Sequence, residues 1–240
     1  MTIKSEIMTL ARYAGLFFCL LYLAACSDRV DDDYFPLQPG HYWRYDMSIQ
    51  TMDGNFDGVY AVENVAVQER DGHTVYVRRL LDGSLNYLQI TEDGIQLTGR
   101  EKSIDFKTTT VPEEQYIFRF PLQKGATWEE MTTSKLLIKT GPPQKTEFHI
   151  RANVPLDAVI ETMTDVVRVP AGTFENCMRI VFKGKNFVNA GNYVGMTLVS
   201  IKETDWYAPG VGLVKSVRRE TTTSKALDKG KLVLELENYR

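Results

Sequence analysis

The chain has 240 residues, 25% of them charged and 43% apolar, with a formal net charge of −3. This ordinary globular composition excludes a collagen, a long disordered acidic chain and a polytopic membrane protein, and so even a charge lacks the basic face of a nucleic-acid binder. Three cysteines, Cys19, Cys26 and Cys177, are too few for a disulfide scaffold.

In chain order, the first element is an uncharged run, Tyr13 to Ser27 (YAGLFFCLLYLAACS), with Arg12 ahead of it. It is shorter than the roughly 18 residues of a spanning helix and has the layout of a secretory leader. Glu6 is unusual in the basic flank of such a leader, and a start at Met8 rather than Met1 gives a tidier one. Leu23-Ala24-Ala25-Cys26 closes the run and resembles the lipobox of bacterial lipoproteins. The resemblance implies a signal peptide over 1–25, cleavage before Cys26, a diacylglyceryl thioether on its sulfur and a fatty acyl group such as palmitate on its amine. Two or three chains hold a protein on a membrane where one does not. Ser27, rather than an aspartate, follows the cysteine. By the same resemblance this implies an outer-membrane anchor with the domain facing the periplasm, or the extracellular face in a single-membrane cell.

Loss of residues 1–25 removes Lys4, Arg12 and Glu6 and leaves 215 residues with a formal charge of −4. Cys177 is then the one thiol beside the acylated Cys26, so no intramolecular disulfide forms. Residues 26–34 read as the acylated cysteine and an acidic tether. Its eight residues Ser27 to Tyr34 span about 26 Å at roughly 3.3 Å per residue.

Residues 35–240 read as one mainly antiparallel all-β domain, a curved sheet or half-barrel with few helices. Period-2 alternation puts Trp43, Tyr45, Met47 and Ile49 on one strand face. Tyr116, Phe118 and Phe120 share another, as do Met178, Ile180 and Phe182, and Leu232, Leu234 and Leu236. Five Asp-Gly pairs, at Asp53, Asp57, Asp71, Asp82 and Asp93, read as hairpin turns, the last three spaced by 11 residues. Ala208-Pro209-Gly210 fits a type II turn. A short helical or irregular segment is expected near 185–192. Phe35-Pro36-Leu37-Gln38-x-Gly40-x-x-Trp43 is echoed 85 residues later by Phe120-Pro121-Leu122-Gln123-x-Gly125-x-x-Trp128, which suggests related halves over 35–119 and 120–240.

Val169-Pro170-Ala171-Gly172-Thr173-Phe174 and Tyr207-Ala208-Pro209-Gly210-Val211-Gly212-Leu213-Val214-Lys215 are a turn and a hairpin. With the repeated opening they resemble a broad group of uncharacterised bacterial envelope lipoproteins, which look like the half-barrels of lipoprotein-carrier (Lol-type) proteins. The resemblance implies an architecture and carries no catalytic residue.

The sharpest local motif is Asp53-Gly54-Asn55-Phe56-Asp57-Gly58, which fits the opening of an EF-hand loop and makes Asp53, Asn55 and Asp57 weak calcium candidates. Asn64 stands where the bidentate glutamate of that loop belongs, and a polar hairpin is the plainer reading. His41, His73 and His149 lack zinc spacing. No nucleophile elbow or nucleotide-binding loop occurs, no cofactor is called for, and Cys177 reads as a core residue. Trp43, Trp128 and Trp206 are core anchors or the lining of an apolar cavity. The expected function is a non-catalytic binding or scaffolding lipoprotein, with an apolar or lipid ligand. The alternatives are an assembly partner of another envelope protein and an envelope hydrolase.

Overall fold

The computed structural model describes residues 34–103, 108–141 and 146–240. The signal segment, Cys26 and the tether up to residue 33 lie outside them. The described chain folds as fourteen antiparallel strands and one helical turn. The strands are β1 (Tyr42–Thr51), β2 (Gly54–Arg70), β3 (His73–Leu80), β4 (Leu85–Thr91), β5 (Gly94–Glu101), β6 (Thr108–Arg119), β7 (Thr127–Thr133), β8 (Ile138–Gly141), β9 (Thr146–His149), β10 (Asn153–Val169), β11 (Gly172–Asn189), β12 (Met196–Ala208), β13 (Gly212–Thr222) and β14 (Lys229–Tyr239). The helical turn, α1, is Gly191–Val194. The helical expectation near 185–192 is thus displaced, because β11 runs on to Asn189.

Twelve strands make one sheet, ordered β6-β5-β4-β3-β2-β1-β14-β13-β12-β11-β10-β7. Strands β1 to β6 form one meander, and β7 with β10 to β14 forms another. The first strand pairs with the last, Met47 opposite Leu234 and Ile49 opposite Leu232. Only β6 and β7, consecutive in sequence, end the order, so the sheet is a nearly closed barrel with one seam, more closed than a half-barrel. The β8–β9 hairpin is a separate pair inserted between β7 and β10.

Most turn signals sit where they were expected. Asp71 and Gly72 both have positive φ (51° and 78°), the tight turn that matches strand twist. Asp82-Gly83 closes a looser turn, with Gly83 N–H donating to Leu80 O at 2.9 Å. Asp57-Gly58 is the exception: it lies inside β2, with Asp57 opposite Ser48. There Met47 packs over Gly58 and long register with β1 overrides local turn propensity. Val211 N–H donates to Ala208 O at 3.1 Å, closing the Pro209-Gly210 turn.

The interior is filled. Met178, Ile180 and Phe182 meet Leu88, Ile95, Leu97 and Phe118 in one core, as their alternation demands. The segment leading into β1 also goes inside: Tyr34, Phe35 and Leu37 are buried. The Phe35 ring meets Phe118 edge-on at 5.3 Å, and Phe118 meets Tyr207 edge-on at 4.8 Å. Leu136, Leu137, Ile150 and Ala152, flanking the β8–β9 hairpin, are buried as well. A second core gathers Trp43, Tyr45, Val167, Val169, Cys177 and Leu236, where the tip of the β10–β11 hairpin docks and Ala171 N–H donates to Leu236 O.

Candidate ligand pocket

Strand β3 carries the key departure from a plain core. In HTVYVRRL, Val75 and Val77 pack outward with Tyr87, while Tyr76, Arg78 and Leu80 take the inward phase. A guanidinium therefore enters the barrel. Its surroundings hold it there. Arg78 Nε donates to Asn64 Oδ1 at 2.8 Å, and Nη2 donates to Pro36 O at 2.9 Å. Asn64, itself buried, donates from Nδ2 to Pro36 O and Gln38 O at 2.9 and 3.1 Å. One asparagine thus ties the lead-in segment to β2 and aims the arginine. The guanidinium lies 4.1 Å from the Phe35 ring centre and 5.0 Å from that of Trp43, within cation–π range.

This arginine borders a cavity of about 190 Å³ walled by Phe35, Trp43, Tyr45, Tyr60, Leu88, Ile117 and Tyr207. Trp43 Nε1 donates to Val211 O at 2.6 Å and Tyr45 OH to Leu213 O at 3.0 Å, which fixes both rings against the β12–β13 turn. Burial lowers the Arg78 pKa to about 10, with Tyr45, Tyr60 and Tyr207 acting in the opposite sense. It is still a cation at neutral pH. Burial also pushes the Tyr60 and Tyr207 phenols up, so both stay neutral. No ion pair engages Arg78 among the described residues, and no serine, cysteine, histidine or carboxylate lines the cavity. The chemistry on offer is a fixed cation in an aromatic wall.

The three tryptophans are not brought together. Trp43 lines the pocket. Trp128 lies in the main core, edge-on to Phe182 at 6.1 Å. Trp206 points to the outer side, where its Nε1 and Arg179 both bond Asp165 Oδ2. The calcium candidates do not converge. Asp53 uses its two carboxylate oxygens on Thr140, at 2.7 and 2.9 Å, and Asn55 and Asp57 lie on extended β2, opposite Gln50 and Ser48. An EF-hand needs a loop wrapped round its ion, and a paired strand cannot wrap. Among the described residues no group of three or more His, Cys, Asp or Glu is placed to hold a metal. His41 stacks on Trp43, and His149 pairs with Glu147, so the histidines stay apart. Cys177 is buried, and burial with nearby Asp165 raises its thiol pKa to about 11.

Arg78 and Asn64 are the residues that sequence reading missed. The available signal was a charged residue in the apolar phase of β3, Tyr76-x-Arg78-x-Leu80. A larger cavity of about 600 Å³ lies between β5–β6 and β7–β9, but its cations Arg100, Lys135 and Arg151 are exposed and already solvated.

No family model matches the chain, and no curated protein matches it in sequence. Among solved structures it is similar to a chain assigned as an exported protein with a YmcC-like fold from Bacteroides fragilis. The identity is 14% and the TM-score 0.40, over 86% of this chain and 98% of that one. It is also similar to a chain assigned as a lipoprotein from Parabacteroides distasonis, at 14% identity and a TM-score of 0.37 over the same shares.

Proposed function

We propose that this chain is a lipid-anchored protein of the bacterial envelope that binds a small, mainly apolar ligand without transforming it. The observation that carries the reading is the pocket itself: an aromatic cavity beside the packed core, with a fixed cation in its wall. Its volume of about 190 Å³ lies below the usual 300–1,000 Å³ of drug-sized sites. In this pocket, that favours a single ring or a short chain over a lipid acyl chain. The anchor rests on the Leu23–Cys26 motif, and an outer-membrane site facing the periplasm on Ser27 after it. Seven residues, Ser27 to Asp33, lie between Cys26 and Tyr34 in the sequence.

Native mass spectrometry of the full chain released from cell membranes tests the binding role. A small copurifying molecule, lost when Trp43→Ala opens the wall, is the expected result. A bare protein that also takes up no small aromatic probe would overturn it. A second reading, an assembly partner for another envelope protein, draws on the strands β6 and β7, each paired on one side only in the sheet. Crosslinking in intact cells that returns only monomer counts against it.

A further inference from the structure

We propose that the pocket selects an organic monoanion, a carboxylate on a ring-sized apolar body, with Arg78 as its receptor. The inference rests on the binding role above and goes further by naming the ligand's charge and size. Three observations carry it.

The first is the missing counter-ion. A charge in an apolar site is costly unless it is paired, and buried arginines are ordinarily matched by carboxylates. Arg218 in this same barrel shows the ordinary solution, with Glu203 at 2.6 Å and Glu220 at 2.7 Å. Among the described residues Arg78 has only neutral hydrogen-bond partners, the side-chain oxygen of Asn64 and the carbonyl of Pro36. The lowered pKa reflects the same deficit.

The second is direction. Phe35 and Trp43 cover the guanidinium, and Nε and Nη2 are used. Nη1 makes no hydrogen bond among the described residues, and Arg78 borders the cavity. Tyr60 and Asn86, from β2 and β4, line the same space, and neither side chain has a hydrogen-bond partner among the described residues. Three donors from three neighbouring strands are therefore free to meet one carboxylate.

The third is size. An apolar cavity of about 150 Å³ holds one benzene ring. The 190 Å³ here holds a ring and little more than its carboxylate. The aromatic wall suits a flat body.

The test is calorimetric titration of the full lipidated chain in phosphatidylcholine nanodiscs, with empty nanodiscs as reference. The probes are benzoate and its neutral isostere benzamide. We expect benzoate to bind at least about tenfold more tightly, the scale of one charge-assisted contact. Arg78→Gln should erase the difference. Arg78→Lys should keep the preference at reduced affinity, since an ammonium keeps the charge and loses the planar fork. Equal binding of the two probes to the native chain would overturn the anion proposal and leave the binding role standing. Failure of both probes at millimolar concentration would overturn the pocket reading as well. The isostere comparison decides even if Arg78→Gln fails to fold.

Discussion

Asn64 shows how much one buried side chain decides. Itself buried, it holds the lead-in segment through two carbonyls and receives Arg78. Asn64→Ala strands those groups, and the expected loss is about 3 kcal/mol of stability, read by urea denaturation. At sequence level the same residue was legible only as a missing calcium ligand. A second residue-scale expectation concerns Glu130, which burial and the neighbouring Glu203 raise to a pKa of about 7. The folded protein then holds a proton that the unfolded chain releases above the ordinary carboxylate range. Stability therefore falls as pH rises from about 4.5 to about 7. Asp205, buried beside Glu203, is raised too and acts in the same sense. Glu130→Gln should flatten this slope by about 2 kcal/mol, after allowance for partial solvent screening, in denaturation curves on either side of the window.

At the scale of elements, the segment between β7 and β8 is clamped to the sheet interior. Glu220, fully buried, accepts the backbone N–H groups of Lys135 and Leu136 and the Nε of Arg218. Gly230 on the adjoining β14 makes room: a Cβ there would stand 2.4 Å from Leu136 O. Gly230→Ala should lift this segment off the sheet and cost a few kcal/mol, seen as a lower midpoint in thermal unfolding. The strands themselves were readable because alternation is local. Trp43 with Tyr45, and Met178 with Ile180 and Phe182, face inward as their period-2 pattern states. The clamp was not readable, because Glu220 looks like any charged residue near a strand's end until the chain 84 residues earlier lies on it.

At the scale of the molecule, two six-stranded meanders join at β1 and β14 and leave one seam between β6 and β7. Unpaired edges lose protection first. Hydrogen exchange should therefore run fastest at the outer amides of β7 and slowest in β1, β14 and β12, which are paired on both sides. Uniform protection would mean that the seam is closed in solution. The echo of Phe35–Trp43 at Phe120–Trp128 falls at the starts of these two meanders, just before β1 and β7.

The sequence by itself determined the strand faces, most of the turns and the all-β class, because each follows from the stereochemistry of a few consecutive residues. It also carries the lipobox reading of Cys26, which needs no fold. Only the tertiary structure decided the pocket. Arg78 meets Asn64 from 14 residues away, Pro36 from 42, and shares its cavity with a Trp43 held by Val211 from 168. Those distances close only when register and barrel curvature are set. Whether a charge on an apolar face is solvated, paired or left waiting for a ligand is a property of everything packed around it.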